Sequence, residues 1–97
     1  MDTFNPTLTL RVSIQRALLG EVMERLVSVT CGIRGQMVTV RAYVSGPVKE
    51  DDVETLSCIA GEVIGDFPDE YKIEEQCVSV DDGEPQMLDF WAFRKKG

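Results

Sequence analysis

Six apolar residues, Val53, Leu56, Ala60, Val63, Ile64 and Phe67, recur at steps of three, four, three, one and three, which places them on one stripe of an α-helix. Such a stripe is stable only when another element covers it, so the rest of the chain has to supply a surface. Glu50, Asp51 and Asp52 stand where the positive end of that helix dipole would be, and Gly65 and Pro68 mark its end. The preceding segment has a different period. Residues 37–44 alternate, with Val38, Val40, Ala42 and Val44 on one side, and residues 27–31 are β-branched and apolar. Gly32-Ile33-Arg34-Gly35-Gln36 offers glycines for a reversal between them, which predicts an antiparallel hairpin. Ser45-Gly46-Pro47 closes it, because proline has no N–H to give to a ladder.

The same alternation of periods recurs on either side. Over residues 8–26, Leu10, Ile14, Ala17, Leu18, Val22 and Leu26 keep helical spacing behind Pro6, which suits a helix start. Thr7-Leu8-Thr9-Leu10-Arg11-Val12 also alternates with period two, so a short first strand stays open at this point. Residues 71–80 and 87–94 read as two more strands. Asp81-Asp82-Gly83-Glu84-Pro85 between them has the composition of a hairpin turn. The order is therefore αββαββ. It predicts a single α+β domain over residues 1–97, with two helices on one face of a four-stranded, mainly antiparallel sheet and the other face partly exposed. If residues 8–12 form a strand, the alternative is a ferredoxin-like βαββαβ fold with an added strand.

Several function classes are disfavoured by composition. There is no histidine in the 97 residues, which removes the commonest general base and the most frequent metal ligand. Cys31, Cys58 and Cys77 have no C-x-x-C spacing and read as small core hydrophobes, not as a disulfide or zinc framework. The glycines form no phosphate-cradling motif. Asp81-Asp82-Gly83-Glu84 lacks the ligand spacing of a calcium loop. The neighbouring carboxylates Asp51-Asp52, Asp69-Glu70, Glu74-Glu75 and Asp81-Asp82 show no sign of the water-poor pocket that acid–base chemistry needs. The reading is a protein that is not an enzyme, with no catalytic residues, no cofactor and no metal. No apolar run is long enough to span a bilayer and the first residues lack the features of a secretory signal, so a cytoplasmic location without membrane contact is expected.

Charge is the most uneven property of the chain. The net charge is −7, but residues 1–49 carry +3, residues 50–89 carry −13, and Arg94-Lys95-Lys96 carry +3. A field of one sign over part of the surface attracts partners of the other sign and opposes direct nucleic-acid binding. A basic protein is the partner class this implies. The candidate binding residues are Glu50, Asp51, Asp52, Glu54 and Glu62 on the second helix, with Asp66, Asp69 and Glu70 after it. Tyr43, Tyr71, Phe90, Trp91 and Phe93 resemble a stacking platform for single strands, but their acidic surroundings disfavour that use. Phe90, Trp91 and Phe93 cannot all enter the core of an alternating strand, so at least one ring is expected at the surface near the acidic segment.

Four stretches carry a family resemblance. They are Arg16-Ala17-Leu18-Leu19-Gly20-Glu21-Val22, the run from Val40-Arg41-Ala42-Tyr43 through Ser45-Gly46-Pro47-Val48-Lys49-Glu50-Asp51-Asp52, Glu62-Val63-Ile64-Gly65-Asp66-Phe67-Pro68-Asp69, and Trp91-Ala92-Phe93-Arg94-Lys95-Lys96. Together they resemble a group of small bacterial proteins similar to the immunity proteins of contact-dependent growth inhibition and related polymorphic toxin systems. The resemblance implies a non-enzymatic cytoplasmic protein that blocks a cognate toxin domain, often a nuclease, by direct binding. The basic cleft of a nuclease would match the acidic segment. Two departures stand out: Tyr43-Val44-Ser45 replaces a Phe-Asp pattern, and Lys49 stands in place of a serine helix cap, so the second helix lacks the side-chain acceptor that the pattern would put at its start. A homo-oligomeric assembly protein, pairing as a homodimer through the open sheet face or a strand edge, is the alternative reading.

Overall fold

The computed structural model of the chain describes residues 3–21 and 23–95; Asp2, Val22 and Lys96, used above, lie outside them. The elements are α1 (Pro6–Leu19), β1 (Leu26–Arg34), β2 (Met37–Val44), α2 (Glu50–Ile64), β3 (Lys72–Ser79) and β4 (Phe90–Arg94), with a 3₁₀ turn at Val80–Asp82. The αββαββ order is as expected, and residues 8–12 are helical, so the ferredoxin-like alternative does not form. α1 starts where Asn5 Oδ1 accepts the Leu8 N–H at 3.1 Å, with Pro6 in the first turn. It ends at Leu19, with Gly20 as its C-cap, seven residues short of the predicted run through Leu26. Leu26 instead opens β1, because the β-branched residues after it favour a strand.

β1 and β2 form the predicted antiparallel hairpin, with Arg34 opposite Met37 across Gly35 and Gln36. Gly35 has φ of +60°, which a glycine adopts at no steric cost. Gly32, expected in the turn, lies inside β1.

The second predicted hairpin is absent. The strand order is β3-β2-β1-β4, so β3 and β4 lie on opposite edges. β3 runs parallel to β2, with Val38 beside Ile73 and Ala42 beside Cys77, and β4 runs antiparallel to β1. The cause is the crossover: α2 carries the chain back along the sheet, so β3 enters at the same end as β2, where Lys72 N–H donates to Gln36 O at 2.9 Å. The sheet is mixed. Asp81 and Asp82 belong to the 3₁₀ turn, which Ser79 Oγ caps by accepting the Asp81 N–H at 3.1 Å.

Both helices pack on each other and on the same face of the sheet. The core between the layers joins Leu10, Ile14 and Ala17 of α1 to Leu56, Ile59 and Val63 of α2, over Val29, Cys31, Val38, Val40, Ala42 and Phe90. Each large aliphatic side chain removed from water here contributes about 1.5–3 kcal/mol. Two residues differ from the expected stripe. Ile59, not assigned to it, is buried, whereas Val53, in the first turn of α2, is 46% exposed.

The sheet's other face is less open than expected. Residues 84–89 cross it on the way from one edge to the other. Tyr43 OH accepts the Gln86 N–H at 3.0 Å. Thr30 Oγ1 accepts the Leu88 N–H at 2.8 Å and donates to Phe90 O at 2.7 Å. Asp89 N–H reaches Cys31 O at 2.8 Å. Thr30 and Tyr43 are buried beneath this strap.

Candidate protein-binding surface

The start of α2 is fixed without a serine cap. The Asp52 carboxylate accepts the Lys49 backbone N–H at 2.9 Å, satisfying a donor that the helix itself leaves free. Arg25 then clamps the same carboxylate, while its Nη1 donates to Ser45 O and, at 2.9 Å, to Pro47 O. Asp52 keeps only 12% of its side chain exposed. Of the eight carboxylates predicted to face a partner, this one is committed to the fold.

A second carboxylate is partly committed. Ser13 Oγ of α1 donates to Asp66 Oδ2 at 2.6 Å, and Arg16 Nη1 stands 3.9 Å from the same oxygen. Glu50, Asp51, Glu54, Glu62, Asp69 and Glu70 are exposed. They do not form one patch. Glu50, Asp51 and Glu54 occupy the first turns of α2, and Glu62 lies in its last turn beside Asp66, with Asp69 and Glu70 in the connection to β3. Glu50 and Glu62 are separated by about 18 Å of helix, more than twice the screening length of about 8 Å at physiological salt. The two groups thus form separate negative poles at the two ends of α2, with the exposed small residues Ser57, Cys58 and Gly61 between them and the Glu75 carboxylate of β3 accepting from Ser57 Oγ at 3.3 Å.

A groove runs along the second pole. It joins two adjoining depressions that share Ser13, Arg16 and Asp66: one is lined further by Leu8, Thr9 and Val12 of α1, the other by Ala17 of α1 and Glu62 of α2, with Asp66 just past the end of α2. The apolar part has a physical oddity: Leu8, Val12 and Leu19 lie on the side of α1 opposite its buried residues Leu10, Ile14 and Ala17, and are 58%, 51% and 87% exposed. α1 is thus apolar on two faces, of which the sheet and α2 cover one. Nothing in the acidic count pointed to this stripe, although the spacing of Leu8, Val12 and Leu19 carried the signal.

The aromatic residues divide by alternation only as far as Trp91: a register shift in the β1–β4 pairing skips Ala92 and sets Phe93 opposite Val29, on the helix-covered side with Phe90. Phe90 is buried, with the Arg11 guanidinium 4.2 Å from its ring. Trp91 lies on the strapped face beside Tyr43, at 6.4 Å between rings, and under Arg94. Phe93 is 39% exposed and lines an apolar pocket with Leu18, Met23, Leu26 and Ile59. Phe4, Phe67 and Tyr71 form a further ring cluster, at 5.2–5.6 Å between centroids, that ties the start of the chain to the end of α2.

Among the described residues, ion pairs join Arg16 to Asp66, Arg25 to Asp52 and Arg34 to Asp89. Each joins the basic N-terminal half to the acidic segment, so part of the negative charge is neutralised within the fold. Two of the three cysteines join or border the core as expected, and one does not. Cys31 is buried, with its thiol pKa pushed up to about 12 by desolvation, and Cys77 is half-buried. Cys58 is exposed on α2 and is not a core residue.

Among known proteins, the model of one family, described as MafI2 immunity protein, matches residues 7–97, a span that includes all four stretches on which the resemblance rests. No curated protein matches the chain.

Proposed function

The chain belongs to the MafI2 immunity protein family, and from that premise we propose that it neutralises a cognate toxin domain by direct binding, with a basic, nuclease-type cleft as the target. The observation that carries this reading is the exposure of Glu50, Asp51, Glu54, Glu62, Asp69 and Glu70 after Asp52 and Asp66 have been engaged by the fold. A nuclease has to attract phosphate, so its cleft is positive, and two negative poles on one helix layer complement it. Complementary fields of this kind raise association rates toward 10⁸–10⁹ M⁻¹s⁻¹ at low salt, against about 10⁵–10⁶ M⁻¹s⁻¹ without steering. No catalytic step is assigned to the chain. The family membership supports the immunity role, and the charge distribution supports the basic target.

The test is the association rate of the chain with an inactivated toxin domain, measured from low to high salt. The expected result is a 1:1 complex whose association slows at least tenfold while dissociation changes little. Association that ignores salt would overturn the electrostatic part of the reading. Failure of the complex to form would overturn the whole of it.

A further inference from the structure

We propose that the groove between α1 and the last turn of α2 receives a lysine or arginine side chain of the toxin domain, with the aliphatic stem on Leu8 and Val12 and the cation between Glu62 and Asp66. This rests on the reading above and adds the surface and the chemistry of the group that enters it. Three observations lead to it. First, the two depressions that make up the groove differ in character, with Leu8 and Val12 lining one, Glu62 the other, and Asp66 shared between them. Long basic side chains match that division, since they lay a hydrocarbon stem on apolar surface while the charged head stays with polar partners. Second, Leu8 and Val12 are 58% and 51% exposed on a side of α1 that, among the described residues, no element covers. Third, a cation already occupies the place. Arg16 Nη1 lies 3.9 Å from Asp66 Oδ2, with 70% of its side chain exposed. Ser13 Oγ orients the carboxylate from below, donating at 2.6 Å. Arg16 shows that a guanidinium fits against Asp66, and its exposure makes it a loosely held stand-in, because exposed pairs of this kind contribute little.

The arrangement makes opposite predictions for residues a few ångströms apart. Leu8→Ser with Val12→Ser removes the stem's support, and Glu62→Gln removes one partner of the cation. Each is expected to weaken binding of the inactivated toxin domain about tenfold or more. Arg16→Gln removes the internal competitor and is expected to tighten binding severalfold. Glu84→Gln, which removes the same charge from the strap on the far face, serves as the control with affinity near the wild type. All variants are first checked for native circular dichroism, and the exposure of the replaced side chains favours folding. Groove variants that bind like Glu84→Gln, or an Arg16→Gln variant weakened as much as Glu62→Gln, would overturn the groove assignment while leaving a wild-type complex in place. A wild-type chain that does not bind would overturn the function reading and the groove with it. A dimer of the isolated chain in light scattering, abolished by the Leu8 and Val12 changes, would instead assign the stripe to a second copy and overturn the proposal.

Discussion

Arg25, just before β1, and Asp52, in the first turn of α2, form a part-buried ion pair whose carboxylate also caps the helix. One guanidinium thereby fastens the end of the first hairpin to the start of the acidic helix, through Ser45 O and Pro47 O as well as Asp52.

Losing either partner leaves the other desolvated. Arg25→Met and Asp52→Asn are each expected to destabilise the fold by about 1–3 kcal/mol, and the double variant by less than the sum. Urea unfolding checks this: the midpoint should fall with an unchanged slope, and strictly additive effects would show that the pair is not coupled.

The two glycines on covered and open surfaces should respond with opposite signs. A Cβ on Gly32 would stand 3.1 Å from Asp89 Cγ and 3.2 Å from Leu88 Cβ, beneath the strap, so Gly32→Ala should cost about 1–3 kcal/mol. Gly61 in α2 has nothing within 4 Å of such a Cβ, so Gly61→Ala should stabilise by about 0.5–1 kcal/mol. Thermal unfolding of the two variants distinguishes them.

Acid should loosen the strap. The Asp89 carboxyl is held below the ordinary carboxylate range, first by the Ile33 backbone N–H at 2.9 Å and then by Arg34 at 3.0 Å. A depressed folded pKa means that its stabilisation is full above the unfolded value of about 3.9 and fades as pH falls through the folded value. The stability gap between wild type and Asp89→Asn should therefore hold near neutral pH and close as pH falls below about 4. A gap that stays constant through that range would contradict the assignment.

Thiol labelling should follow burial. Under native conditions iodoacetamide is expected to modify exposed Cys58 first and Cys77 more slowly, since burial and then the Asp52 charge raise the Cys77 pKa. Cys31, raised to about 12, should react only after unfolding. Peptide mass spectrometry reads all three, and early modification of Cys31 would count against the burial described.

The elements governed by local period were legible in the sequence. Leu56, Ala60 and Val63 announced α2, and Val38 through Val44 announced β2. The pairing of β3 was not, because Asp81-Asp82-Gly83 has the same composition in a 3₁₀ turn as in a hairpin, and the choice was made by the return path of α2. Nor could the sequence reveal which carboxylates the fold would use. Asp66 meets Ser13, 53 positions away, and Asp52 meets Arg25, 27 positions away, with the whole β1–β2 hairpin between them. Counting acids located the negative segment, and only tertiary contacts divided it into structural and exposed members.

The placement of β4 against β1 also bears on how the molecule is made. A nascent chain that has reached Ser79 holds both helices and three strands, yet it lacks both the strap and Phe90, so one face of the sheet is bare and the core is incomplete. Final packing must await residues 90–94, so ribosome-bound chains that have not exposed these residues should be cut readily by protease, while chains that have exposed them should resist. Protection against a toxin would then begin only with molecules whose translation has passed this strand.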